Sequence, residues 1–247
     1  MTSYHGGKQR IGKKLSYIII EESIQISEEE EWSIKGYCEP FCGMLGVYQH
    51  ITDNDDFKKI KYKAGDNNKS VIMMWKKAQN GWKPPIRVSE KRYNQLKNEK
   101  DPSAEKGYVG HQYGFGGKYF KGYAPKYGKT VDSSDASNKV VKISKKLKSV
   151  SFSHGLYTQY SNLKDYVIYC DPPYNSTEKH YTSDSFNNKD FYEWCRYMSE
   201  NNIVFLSEYK APKDFTEIWS STSKLTGVSK SQGKHKSKSR TEKLYVI

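Results

Sequence analysis

Residues 167–175 read VIYCDPPYN: a run suited to a buried strand, then an acid, two prolines and a tyrosine. Proline fixes its own φ and offers no N–H to a ladder, so Pro172-Pro173 must end the strand in a rigid elbow. The rest of the chain arranges itself around that elbow. Residues 8–22 carry Ile11, Leu15, Ile18 and Ile19 at helical spacing and lead into the acidic stretch SEEEEW. GYCEPF (36–41) reads as a short strand turning at CGMLG into a second helix near 45–52, and FKKIKYKAGD (57–66) as a strand ending at Asp66. NNKSVIMMWKKAQNG (67–81) reads as a helix stopped by Gly81. After the elbow come an amphipathic helix in NKDFYEWCRYMSENN, a strand in IVFLSEY and a terminal strand in KLYVI. Alternating strands and helices predict an α/β fold with a Rossmann-like sheet. Residues 82–149, rich in Gly, Tyr and Lys with little strand alternation, read as an inserted, largely helical and loop module, which leaves 1–81 and 150–247 as the main domain.

A formal charge of +13, from 41 Lys and Arg against 28 Asp and Glu, favours a polyanionic partner, although an AT-rich genome also enriches Lys, Asn, Tyr and Ile. The four cysteines fall at 38, 42, 170 and 195, too few and too irregular for a disulfide framework, and no apolar run near the N-terminus suits a signal peptide or a membrane span. The expectation is a reduced, intracellular protein, in cytoplasm or nucleoid or in a virus-infected host cell, with no membrane partner. Cys38 and Cys42 have no second Cys/His pair at ligand spacing, so no metal is expected.

Ligands of open α/β sheets bind beyond the carboxyl ends of the strands, which puts Asp171 at the mouth of a site. The carbonyl of Pro172 is held rigidly and can accept, so acid and carbonyl together make a paired acceptor suited to the two N–H groups of an exocyclic amine. Tyr174 offers a face on which a planar base can stack once it leaves its helix. As such an amine attacks an electrophile it gains positive charge, which Asp171 can stabilise without a metal. The bland alternative is that Pro-Pro merely stops a strand and Tyr174 covers the core.

Four segments in order carry a resemblance: Tyr4-His-Gly-Gly-Lys8, Glu39-Pro-Phe-Cys-Gly43, Asp66-Asn-Asn68 and Asp171-Pro-Pro-Tyr174. The chain resembles the Dam-type DNA adenine-N6 methyltransferases over nearly its whole length, and NGWKPP, GGKYFKGYAP, SEYKAP and RTEKLYVI resemble segments of phage and viral members. The resemblance implies S-adenosyl-L-methionine as cofactor, Asp171, Pro172 and Tyr174 as catalytic residues, and Tyr4, Lys8, Asp66 and Asp171 as cofactor contacts. The residues make sense of this: Gly6 and Gly7 allow close backbone approach, Lys8 can offer charge to a carboxylate, and Phe41 can lie against adenine or ribose. Gly43 gives room at the turn, and Asp66 stands where an acid binds ribose hydroxyls. Two departures stand out. Leu45 occupies a position where the family often has a small residue, and SHGLY follows the strand-like SVSF where an acid or amide is usual.

In that family the segment before DPPY reads the target sequence. Here Lys118, Lys121, Lys126 and Lys129 interleave with Tyr113, Tyr119, Phe120, Tyr123 and Tyr127, a pattern able to clamp phosphates and wedge into the gap left by a flipped base. A small aromatic core with a solvated Lys face is the other reading. Arg87 and Arg92 are candidates for base or phosphate contact. Six Lys or Arg against one acid, Glu242, in residues 230–243 suggest a surface loop touching phosphate, with Lys236 and Arg240 as its contacts, or a solubilising loop. The expected partner is double-stranded DNA, and the expected enzyme a monomer that methylates N6 of a flipped adenine. Cytosine N4, adenine in RNA, and an inactive nucleic-acid-binding homologue are the alternatives.

Overall fold

A computed structural model of the chain describes residues 4–31, 33–124, 132–173, 186–224 and 239–247. The chain runs α1 (Gly12–Glu29), β1 (Gly36–Glu39), α2 (Tyr48–Ile51), β2 (Lys61–Asp66), α3 (Lys69–Gln79), α4 (Glu90–Asn98), α5 (Ala104–Gln112) and α6 (Ser134–Ser144). It continues with β3 (Val150–His154), β4 (Tyr166–Cys170), α7 (Asn188–Ser199), β5 (Ile203–Glu208), β6 (Thr216–Lys224) and β7 (Ser239–Val246). The seven strands form one sheet in the order β3-β2-β1-β4-β5-β7-β6. β1 to β5 are mutually parallel, and β7 runs antiparallel between β5 and β6. This is a Rossmann-like α/β sheet closed on one side by an antiparallel strand.

Strands β1, β4 and β5 are buried at every position, as strands covered by helices on both faces must be. Alternate residues of β4 divide between two cores. Val167 and Tyr169 join Leu15 and Ile19 of α1 and Trp75 of α3, while Ile168 and Cys170 join Phe191, Trp194 and Met198 of α7. All four cysteines are buried free thiols. The chain leaves β1 for β2 and β3 on one side and returns to β4 on the other, so the crevice between the carboxyl ends of β1 and β4 is the topological switch point.

Three boundaries differ from the sequence expectation. The first helix begins at Gly12, leaving Lys8 in the preceding loop, and runs on to Glu29, because exposed glutamates are good helix formers. Ahead of β7, the polar β6 has no sequence expectation; its TEIWSSTSK pairs with β7 through a bulge between Glu217 and Trp219 and shows no clean alternation. β7 itself starts at Ser239, so Arg240 and Glu242 belong to a strand and not to the basic loop assigned from sequence. The described residues of 82–149 share the main core. Tyr93 and Leu96 of α4, Tyr108 and Val109 of α5 and Val140 of α6 bury into the same cluster as Ile19, Val71 and Trp75.

Candidate active site at the switch point

Four segments converge at the carboxyl ends of β1, β2 and β4. The turn after β1 holds Gly43 at φ 42°, and its N–H donates to Asp66 Oδ2 at 3.0 Å while its carbonyl accepts from the Trp75 indole at 2.8 Å. Leu45 also sits at positive φ, 53°, and is fully buried. The backbone thus adopts there the left-handed conformation that glycine takes freely, at a cost of about 1 kcal/mol for a residue with a Cβ. Asp66, the last residue of β2, accepts from Asn68 N at 2.8 Å through its other oxygen. Asn68 in turn caps α3 by accepting from Ser70 N at 3.1 Å. Burial pushes the Asp66 carboxyl above its ordinary value, against the two N–H groups that favour its charge.

The N-terminal loop lies directly on this turn. A Cβ placed on Gly43 would sit 2.9 Å from the Tyr4 ring, and one on Gly46 would sit 3.0 Å from the Lys8 backbone. Gly7 N–H donates to the Tyr4 carbonyl at 3.1 Å, with Gly6 at φ 78° making the turn possible. The loop ends by delivering Lys8, which is only 4% exposed, into the crevice. Its ammonium donates to Asp171 Oδ1 at 2.6 Å, reaches Glu242 Oε1 of β7 at 2.9 Å and donates to the Gly6 carbonyl at 3.2 Å. Burial alone would lower the Lys8 pKa, but Asp171 and Glu242 reverse that and hold it above its ordinary value. The lysine expected to offer charge to a ligand carboxylate is therefore paired with two carboxylates of the protein.

A third acid completes the cluster. Glu39, the last residue of β1, is buried, accepts from the Tyr37 hydroxyl at 2.8 Å and has its carboxyl pushed up to about 8 by burial, with the charge of Asp171 adding to the shift. Glu39 is thus a neutral acid over much of the range in which Asp171 meets an ammonium. Pro172 is buried, and Pro173 half-buried, behind Asp171. Phe41 packs its ring 5.5 Å from Phe191 and 5.7 Å from Tyr157, in an aromatic group between the β1 turn and α7. Tyr174, Lys126 and Lys236 lie outside the described residues.

The inserted helices reach the same crevice through aromatic rings. Tyr4 lies 4.3 Å from the ring of His111 on α5, and Tyr119 lies 4.9 Å from it on another side. Tyr119, expected to touch nucleic acid, is half-buried: its ring packs edge-on against Phe120 at 4.8 Å and lies so close over Gly110 that a Cβ there would sit 2.4 Å from it. Arg92 is likewise engaged: it donates to Glu105 at 3.0 and 2.5 Å and to Glu99 at 2.9 Å, tying α4 to α5. Arg87 is exposed, with Asp132 at 3.7 Å. Lys118 is half-buried and Lys121 exposed, and Arg240 lies 5.9 Å over the Tyr209 ring. Sequence reasoning missed Phe115, which stands 64% exposed on a loop where Gly116 and Gly117 both take positive φ. It also missed Glu242, whose sequence neighbours marked it as one acid in a basic tail.

No described helix is long and apolar enough to cross a membrane, and no group of three or more His, Cys, Asp or Glu among the described residues could hold a metal ion. No family model matches the chain, and no curated protein matches it. Among solved structures the chain is similar to the rRNA methyltransferase AviRa from Streptomyces viridochromogenes. One structure, at 1.5 Å, is 7% identical with a TM-score of 0.40 and covers 95% of this chain and 84% of that one. A second, at 2.4 Å, is 8% identical with a TM-score of 0.35, over 87% and 76%. The fold assignment rests on the strand order itself and not on this likeness.

Proposed function

We propose that the chain is an S-adenosyl-L-methionine-dependent methyltransferase acting on an exocyclic amine of a nucleic-acid base, with N6 of adenine in double-stranded DNA as its substrate. The observation that carries this reading is Asp171: a carboxylate at the switch-point end of β4, followed by two prolines and held by a buried ammonium. An acid so placed next to the rigid Pro172 carbonyl suits the two N–H groups of an amine and the positive charge that grows on its nitrogen.

The crevice residues fit the cofactor. Each Asp66 oxygen already accepts one backbone N–H and retains a lone pair for a ribose hydroxyl, and the left-handed β1 turn with Gly43 brings backbone close to the same place. Tyr4 and Phe41 flank that turn. When bound, the cofactor supplies a methyl group activated by its sulfonium. The protein's part is to orient the amine lone pair, to exclude water with the Tyr4 and Phe41 rings, and to counter the developing positive charge with Asp171. Tyr174, by its place in the motif, stacks on the base.

A net charge of +13 and the exposed Lys121 and Phe115 on the inserted segment support a nucleic-acid substrate whose phosphates meet the lysine and whose stack meets the ring. Mass spectrometry of nucleosides digested from duplex DNA and from RNA, each incubated with protein and S-adenosyl-L-methionine, tests the proposal. N6-methyladenine in DNA is the expected product. The mark appearing only in RNA, or on cytosine, would replace the substrate, and no mark in either would remove the activity.

A further inference from the structure

The Lys8 ammonium is a puzzle for an amine-binding acid. A cation 2.6 Å from Asp171 neutralises the charge that a developing positive nitrogen needs, and burial at 4% exposure strengthens that effect. Glu242 answers it. From β7, two strands away from β4, it reaches the same ammonium at 2.9 Å while remaining 29% exposed. Within the triad itself two carboxylates face one ammonium, so Asp171, Lys8 and Glu242 together carry one net negative charge.

We propose that Glu242 is a positioning residue for the transfer step: by sharing Lys8 it fixes the ammonium, and through it the Asp171 carboxylate, while restoring the negative charge that Lys8 would otherwise cancel. The inference rests on the amine-methylation reading of this site. Glu242 touches neither substrate nor cofactor in this scheme; it acts through Lys8. Its location explains why an antiparallel strand inserted between β5 and β6 should carry an acid in an otherwise basic segment.

The test compares wild type, Glu242→Gln and the double variant Lys8→Met/Glu242→Gln by single-turnover methyl transfer, with cofactor affinity from calorimetry and thermal midpoints as controls. In the ligand-free protein the Nζ resonance of Lys8, assigned by its loss in Lys8→Met, is expected to move in Glu242→Gln; an unmoved resonance would overturn the bridge. Glu242→Gln is expected to slow transfer by about tenfold or more with KM for both substrates within about twofold, because the triad falls from one net negative charge to none. The double variant, which returns the triad to one negative charge, is expected to be faster than the single one. Wild-type transfer in Glu242→Gln, a loss confined to KM, or a double variant no faster than the single would each overturn the proposal. If Glu242→Gln does not fold, the double variant decides: a rate within about tenfold of wild type supports the proposal, and one as low as Asp171→Ala defeats it. Wild type that yields no methylated nucleoside removes the underlying methyl-transfer reading, whereas product from wild type with an unaffected Glu242→Gln removes this proposal alone.

Discussion

Glu39 and Asp171 stand at the ends of adjacent parallel strands, yet their surroundings ask opposite things of them. Asp171 has a cation at 2.6 Å, whereas Glu39 is buried with a tyrosine hydroxyl and titrates near 8. A carboxyl whose folded pKa is about 8 against 4.5 when unfolded contributes stability that is full below pH 4.5 and is lost as pH rises to about 8. The total at stake is on the order of 3–5 kcal/mol. His111, buried and lowered to about 4 from 6.5, works at the other side: stability falls as pH drops from 6.5 toward 4, because only the unfolded imidazole takes a proton there. The two oppose each other below about pH 6.5, so urea unfolding from pH 5 to 9 should show little change up to there and a decline from about 6.5 to 8. Glu39→Gln should flatten that decline; an equal slope in the variant would mean that Glu39 ionises freely in the fold. Asp171→Ala addresses chemistry instead. It should cut the proposed transfer by at least about a hundredfold, the scale of losing one preorganised electrostatic partner, and near-normal turnover would defeat the role given to that carboxylate.

At the level of elements, the site depends on how closely the N-terminal loop lies on the β1 turn. A Cβ on Gly12 would meet the Gly46 carbonyl at 2.0 Å, backbone against side chain with nothing flexible to yield. Gly12→Ala should force the two segments apart, cost about 1–3 kcal/mol of stability and weaken cofactor binding, since Tyr4 and Lys8 ride on the displaced loop. Calorimetric titration and a thermal melt check both, and unchanged affinity would show that the loop has slack. Leu45→Gly is a sharper case: it would relieve about 1 kcal/mol of left-handed strain but remove a fully buried side chain worth about 2–5 kcal/mol, so the melt should fall and not rise. The strand-ending motifs were legible because Asp66, Gly43 and Asp171 each close an apolar run, and sheet physics fixes where strand ends go. The partners of charged residues were not legible. Lys8 and Glu242 are separated by most of the chain, and Arg92 meets Glu105 only because α4 and α5 fold against each other. A polar edge strand such as β6 leaves no alternation to read, so the register that brings Glu242 to the crevice is visible only in the folded sheet.

Seen as a whole, the insert is built into the body and not hung from it, since its helices share one core with α1 and α3 and its rings back the loop that carries Tyr4. A long ligand that met the insert, as proposed above, would thereby be coupled to the crevice: His5 N donates to the Gly117 carbonyl at 3.1 Å, and that glycine lies in the loop that presents Phe115. A polyanion drawn by the net charge would meet Lys121 on this loop and bring its stacked bases to the exposed ring. The two side chains should then separate in experiment. Lys121→Ala should weaken duplex binding about equally for all sequences and reduce the salt slope by about 0.9, the share of one phosphate contact. Phe115→Ala should leave the salt slope unchanged and the melt nearly so, because an exposed side chain supports little of the core, while slowing transfer from paired duplex by about tenfold and sparing a substrate whose target base is mismatched. That contrast is what a wedge requires: its work is to replace a departed base in the stack, and a base already unpaired has less need of it. Equal slowing on matched and mismatched duplexes would make Phe115 a plain docking contact.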